Sequence, residues 1–151
     1  MKALTLTQPW ATLVAQGFKC IETRSWATNY RGLLAIHAAK TFPRACRELL
    51  AEPAFQVLQD ANLPLGAVIG ICRLHQCLRM PEGIVNFRAW IERRFGQVTA
   101  PELEVQRGDF SPGRFAWDLR FARELDVPIP AKGMLGLWEW RPPAEAPGWL
   151  P

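Results

Sequence analysis

The segment from residue 17 to residue 24 holds the densest group of side chains that could bind or transform a ligand. It contains Lys19, Glu22 and Arg24. On a strand, alternate side chains share a face, so Glu22 and Arg24 are predicted to point the same way. A carboxylate beside a guanidinium holds the arginine in place and leaves other N–H donors free for a phosphate or a carbonyl.

Lys19 has the opposite parity to this pair if the strand is regular. It can join the pair only if the chain turns between residues 17 and 19, which Gly17 permits. The competing interpretation is a solvated edge strand whose surface ion pair is worth roughly 0–1 kcal/mol. The spacing of these residues leaves both interpretations open.

Strands and short helices must position this segment. Polar and apolar residues alternate over residues 2–6, which predicts a first strand. Trp10, Leu13 and Val14 form an apolar stripe that predicts a helix ending at Gly17. The later strands are predicted at residues 19–24, 33–38, 65–77, 114–126 and 137–141.

Helical spacing recurs between these strands. Residues 42–59 are predicted to be a helix, or two helical pieces broken at Pro53, and residues 84–95 a second helix. Residues 96–113 are polar and rich in turn formers, which predicts a long surface loop. Because the helices follow no βαβ rhythm, the pattern favours an α+β fold built on a small mixed β-barrel.

Composition and charge limit the classes of function. The chain has 151 residues, 49% of them apolar and 21% charged, which is typical of a folded globular protein. We predict a single domain over residues 1–141 and a Pro-rich tail over residues 142–151. The formal net charge of +4 favours polyanionic partners without establishing them. The seven Trp residues could fill a core or line a surface pocket.

Cysteine usage argues against a metal site. The four cysteines form no CxxC motif and have no companion His cluster, so neither a metal nor a cofactor is predicted. The N-terminus lacks the apolar stretch of a signal peptide, and no apolar run is long enough to cross a bilayer. Reduced thiols, a cytoplasmic location and no membrane association are therefore expected.

Four ordered segments resemble the ASCH domain family. The first runs from Gln8-Pro9-Trp10-Ala11 through Gly17-x-Lys19-x-x-Glu22-x-Arg24, the family's GxKxxExR signature, to Trp26, Arg31-Gly32 and Ile36-His37-Ala38. Residues 65–70 are similar to the family's central strand. Residues 113–119 and 132–138 resemble its closing part. The resemblance covers about residues 3 to 140, and four ordered segments are more specific than the short signature alone.

The resemblance implies a PUA-like β-barrel with helices packed around it and a cleft, built around the signature, that binds RNA or a nucleotide. Lys19, Glu22 and Arg24 are the first candidates for this cleft. The candidates for stacking on a base are Trp10, Trp26, Trp117 and Trp138. Each such stack is worth roughly 1–3 kcal/mol.

Three further residues complete the predicted binding set. His37 ends an apolar strand and could be a half-buried imidazole bonded to backbone or, with Lys40 three residues on, part of the cleft lining. Lys132 belongs to the closing segment of the resemblance. His75 is expected to be structural.

Whether the protein is an enzyme stays open at this point. Some ASCH relatives are amidohydrolases of modified cytidine, whose implied machinery has a Thr three residues after the motif Lys and a later strand Glu. Here the residue three positions after Lys19 is Glu22 and not Thr, and residues 65–77 contain no acidic residue. The amidohydrolase chemistry is therefore not expected. Lys19 and Glu22 could still act as base and acid on an RNA phosphodiester. A protein-interaction module is the third possibility, with its protein partners unknown.

Overall fold

A mixed sheet forms the framework of the computed structural model, which describes residues 1–83, 86–96 and 98–148. Within these residues the sheet has six strands: β1 (Lys2–Leu6), β2 (Ile21–Arg24), β3 (Gly32–Ala38), β4 (Ala67–Arg79), β5 (Phe115–Pro130) and β6 (Leu137–Glu139). Their order is β2-β5-β4-β3-β1-β6. β1 runs parallel to β3, and the other neighbours are antiparallel.

The α+β fold class is confirmed, but the predicted small mixed β-barrel is wrong because the sheet does not close. Among the residues that the structure describes, β2 pairs only with β5 and β6 only with β1, so the sheet stays open. The two edge strands have only four and three residues. Such short edges expose few unpaired backbone groups, and the sheet can therefore remain open without offering a long edge for aggregation.

Four α-helices lie in the described part of the chain: α1 (Trp10–Ala15), α2 (Arg44–Glu48), α3 (Phe87–Phe95) and α4 (Pro101–Gln106). The predicted helix over residues 42–59 is α2 followed by two 3₁₀ turns, with the break at Pro53 where the sequence placed it. The Asn86 side chain accepts a hydrogen bond from the backbone N–H of Ala89 at the start of α3. Ile84, the predicted start of that helix, lies outside the described residues.

The predicted surface loop over residues 96–113 is wrong because it contains α4. Pro101 occupies the first turn of α4, where its missing N–H costs nothing, and Glu102 and Glu104 carry negative charge at the same end. Glu104 is buried. The observed ends of two strands differ from the predicted ends by a few residues, because β4 runs to Arg79 and β5 to Pro130. The last three residues of the predicted tail, 149–151, lie outside the described residues.

Apolar side chains cover both faces of the sheet. On one face α1 packs over a core of alternate strand residues that includes Leu4, Ile36, Leu74 and Trp117. The residues between them form a second core on the opposite face. Its buried members are Ala3, Ala35, Val68, Ile71, Leu125, Trp138 and Trp140. No described helix is long and apolar enough to span a membrane.

Candidate functional site

The turn between α1 and β2 places Lys19 inside the protein. Gly17 has φ 77°, a conformation that glycine adopts without steric cost, and the backbone N–H of Lys19 donates to the carbonyl of Leu13 at 3.0 Å. The chain therefore turns where the sequence allowed it. Only 1% of Lys19 is exposed, so its ammonium group points into the fold and not into open solvent.

Glu104 on α4 is the partner of this buried lysine. Its Oε2 lies 3.3 Å from Nζ of Lys19. The same carboxylate accepts the backbone N–H of Cys20 at 2.6 Å and that of Ile21 at 3.2 Å. One buried carboxylate thus binds the lysine of the GxKxxExR signature and the first residues leading into β2. The sequence prediction missed Glu104 because it lies in the segment predicted to be loop.

Glu22 and Arg24 share one face of β2, as the alternation predicted. Nη1 of Arg24 lies 3.4 Å from Oε1 of Glu22. Burial raises the pKa of the Glu22 carboxyl, while Lys19, Arg24 and Arg114 oppose this shift. The guanidinium of Arg24 also lies 5.7 Å from the ring centre of the half-buried Trp26. Arg24 is therefore held from two sides.

Arg24 lines two cavities, which meet at its side chain. The larger cavity, of about 1110 Å³, lies where β1, β3 and β5 end. Its polar and charged lining residues are Thr5, Thr7, Arg24, His37, Lys40 and Lys132. The smaller cavity, of about 410 Å³, lies on the other side of Arg24. Its polar, charged and aromatic lining includes Trp10, Glu22, Thr23, Arg24, Gln106, Arg107, Asp109 and Arg114.

His37 is a buried residue in the lining of the larger cavity. Its Nε2 lies 3.0 Å from the carbonyl oxygen of Ala131, so Nε2 carries the proton and donates. Nδ1 is buried and has no hydrogen-bond partner among the described residues. Burial lowers the pKa of His37, and its hydrogen bond to Ala131 opposes the shift only in part. His37 is thus bonded to backbone, more deeply buried than the half-buried imidazole that the sequence predicted, and it also lines the cavity; its role toward a ligand stays a prediction.

The loop over residues 131–136 closes tightly over this histidine. A Cβ atom at Gly133 would lie 2.7 Å from Nδ1 of His37 and 2.9 Å from Oγ1 of Thr5, too close for any side chain. Oγ1 of Thr5 donates to the carbonyl of Met134 at 3.1 Å. The same hydroxyl accepts the indole N–H of Trp138 at 3.1 Å. The loop that carries Lys132 is thus fixed against the sheet.

Two of the four Trp residues predicted to stack on a ligand are unsuited to it. Trp117 has 0% exposure and packs edge-on against Trp26, with ring centres 4.7 Å apart. Its alternation on β5 turns it into the core beneath α1, which corrects the prediction. Trp138 is 7% exposed and packs edge-on against His37, so it supports the cavity wall.

Trp10 and Trp26 keep part of their surface in solvent. Trp10 lines the smaller cavity, and its indole N–H donates to the carbonyl of Arg107 at 2.7 Å. The structure therefore gathers Arg24, His37, Lys40 and Lys132 around one cavity and Trp10, Glu22 and Arg24 around the other. Lys19 lies behind them. In the described part of the chain, no three His, Cys, Asp or Glu side chains are placed to hold a metal ion.

This open mixed sheet with helices packed on it and a basic cavity at its end defines an α+β protein with a candidate ligand site. The family model described as the ASCH domain matches residues 4–128, and the chain belongs to the ASCH domain family.

Similar proteins agree with this assignment. The chain is 29% identical over 144 residues to Activating signal cointegrator 1 from Homo sapiens, and 28% identical over 142 residues to the Mus musculus protein of the same name. In both comparisons 90% of this chain is covered but only 22% of the relative. The crystal structure of ASCH from Zymomonas mobilis is 15% identical, with a TM-score of 0.53 over 93% of this chain and 87% of that chain. Because the identity is only 15%, the similarity to this crystal structure shows the fold alone.

Loss of the Glu104 carboxylate tests its structural role. We expect Glu104→Ala to lower the free energy of unfolding by about 3–5 kcal/mol, because Lys19 would stay buried without a partner. Urea denaturation followed by Trp fluorescence measures this change. Glu102→Ala on the same helix is the control, because Glu102 is exposed and its ion-pair partner among the described residues is the exposed Arg88. Equal stability of the two variants would contradict the assignment.

The lowered pKa of His37 predicts a dependence of stability on pH. The folded state disfavours the charged imidazole, so below the unfolded pKa of about 6.5 the unfolded chain binds more protons and stability is lost as pH falls. We expect Tm to fall less between pH 7.5 and 5.5 in His37→Gln than in the wild type, as measured by calorimetry. The exposed His75 provides the control variant, His75→Gln. Parallel curves for all three proteins would refute the prediction.

Proposed function

We propose that the chain binds single-stranded RNA or a nucleotide, with phosphate groups in the larger cavity. The observation that carries this proposal is the charge of the lining: Arg24, Lys40 and Lys132 contribute three cations, and no carboxylate is among the described residues that line this cavity. Glu22, the ion-pair partner of Arg24, lines the smaller cavity instead. Cations that neutralise phosphates release condensed counterions, which drives the binding of a polyanion.

The chemistry of the three cations suits this ligand. Arg24 is planar and is held by Glu22 and Trp26, so it offers a directed contact to a phosphate. Lys40 and Lys132 are exposed at the cavity mouth and can follow a flexible backbone as mobile point charges. The fixed loop that carries Lys132 limits the conformational entropy lost on binding.

The size of the cavity favours more than a small anion. Its volume of about 1110 Å³ exceeds the roughly 300–1,000 Å³ of typical small-molecule pockets. The smaller cavity adjoins it through Arg24 and offers the partly exposed ring of Trp10. A nucleotide can therefore place its phosphate beside the lysines and its base toward Trp10.

Removing one cavity lysine tests the binding function. We expect Lys40→Ala and Lys132→Ala to weaken binding of a short fluorescein-labelled RNA. Each should lower the log–log slope of affinity against salt by about 1, because each removes one phosphate contact. Fluorescence anisotropy over a salt series measures both effects.

The matched control is Lys2→Ala, because Lys2 pairs with Glu139 away from the cavity. Affinity that does not change with salt, or an equal loss in the control, would reject the proposal.

Capture of a protein partner that RNase treatment leaves bound would favour a coregulator-type contact instead. That role would agree with the name of the curated relatives.

A hydrolase is the second candidate, and Glu22 favours it. Its raised pKa and its position in the wall of the smaller cavity suit a general acid beside a phosphate held by Arg24. Lys19 does not suit the predicted role of base, because it is buried and paired with Glu104. A reaction at this site would therefore use Glu22 without Lys19.

If the protein is a hydrolase that uses Glu22 as its acid, replacing the Glu22 carboxyl group with an amide should stop turnover. Short RNAs and an acylated cytidine are incubated with the wild type, with Glu22→Gln and with Glu145→Gln, which alters an exposed carboxylate. We expect Glu22→Gln to abolish product formation and to retain RNA binding, while Glu145→Gln keeps the wild-type rate. Equal turnover in all three proteins would exclude Glu22 as the acid.

A further inference from the structure

A bulge in β5 places an exposed aromatic ring in an unusual backbone conformation. Ile71 and Arg73 of β4 pair with Arg123 and Arg120 of β5, so two steps along β4 match three along β5. Phe121 lies in this bulge with φ 54° and is 82% exposed. Glycine adopts this conformation without steric cost, whereas a bulky side chain there is an outlier. Folding alone gives no reason to keep an aromatic residue at this position.

The same bulge brings two arginines face to face. Arg73 and Arg120 are directly paired across the two strands, and like charges in such a pair destabilise a sheet. Oδ2 of Asp118 accepts a hydrogen bond from Nε of Arg120 at 2.8 Å and offsets one of the charges. Arg73 is exposed, and no carboxylate of the described residues lies within ion-pair distance of it. An anion bound between the two arginines would relieve their repulsion.

We propose that Arg73, Arg120 and Phe121 form a second contact for a single strand of RNA, which we name the bulge surface. The arginines bind phosphates, and the ring of Phe121 stacks on a base. This inference rests on the proposed function of the larger cavity and extends it from one nucleotide to a strand. Cations beside an exposed aromatic ring are the combination that single-stranded nucleic acids require.

The bulge surface and the larger cavity are placed to bind one strand together. Arg73 alternates with Cys72 and Leu74 of the core beneath α1, so it points to the opposite face of the sheet. His37 alternates in the same way with Ile36 and Ala38 and points to that same face. From Gly66 at the cavity to Arg73, β4 extends at most about 23 Å at roughly 3.3 Å per residue. A strand of several nucleotides can reach both sites, whereas a very short one cannot.

Comparison of two RNA lengths tests this inference. Dissociation constants are measured for two RNAs, one of about 4 and one of about 12 nucleotides. The proteins compared are the wild type, Phe121→Gly, Arg73→Ala and Arg73→Lys. We expect Phe121→Gly to weaken binding of the longer RNA about fivefold or more and to leave the shorter RNA unaffected. Arg73→Ala should also lower the salt slope for the longer RNA by about 1, and Arg73→Lys should retain it.

Thermal unfolding separates this role from a structural one. Because glycine fits the bulge without strain, Phe121→Gly should unfold at the same Tm as the wild type or higher while it binds the longer RNA less tightly. Val127→Ala removes another exposed apolar side chain from β5 and is the control. An unchanged affinity of Phe121→Gly for the longer RNA, or equal losses for both lengths, would overturn the bulge surface. Failure of the wild type to bind either RNA would overturn the cavity function as well.

Discussion

The buried ion pair between Glu104 and Lys19 is the interaction on which the rest of the site depends. The carboxylate neutralises a lysine that is 1% exposed and accepts two backbone N–H groups at the start of β2. A buried charge without a partner is costly, so the lysine and the glutamate fix each other's position. β2 is an edge strand of four residues that pairs with β5, and this anchor on α4 fixes the end of the strand from the side where it has no neighbouring strand.

The three charged residues of the GxKxxExR signature therefore have three different physical roles. Lys19 anchors the turn from inside, Glu22 lines the smaller cavity, and Arg24 stands where the two cavities meet. Only Arg24 of the three faces the larger cavity, where the remaining cations come from distant parts of the chain. The positive charge of this cavity is therefore produced by the fold and not by the signature alone.

Much of the framework could be predicted from the sequence because strand alternation is a local signal. It located every strand to within a few residues and placed Glu22 and Arg24 on one face, where they form an ion pair. It could not show the role of Glu104, since a short polar helix with a buried acid resembles a loop until its partner is known. The resemblance led us to expect Trp117 at a ligand. Alternation could not correct this expectation, because it leaves open which face of a strand is buried, and Trp117 lies in the core.

A crystal structure of the protein bound to a short RNA would show directly whether the larger cavity holds phosphate groups. We predict phosphate groups in the larger cavity, in contact with Arg24, Lys40 and Lys132, while Nζ of Lys19 stays on Glu104. This prediction would be contradicted by RNA bound on another surface with the cavity empty, or by a Lys19 side chain that leaves Glu104 to contact the ligand.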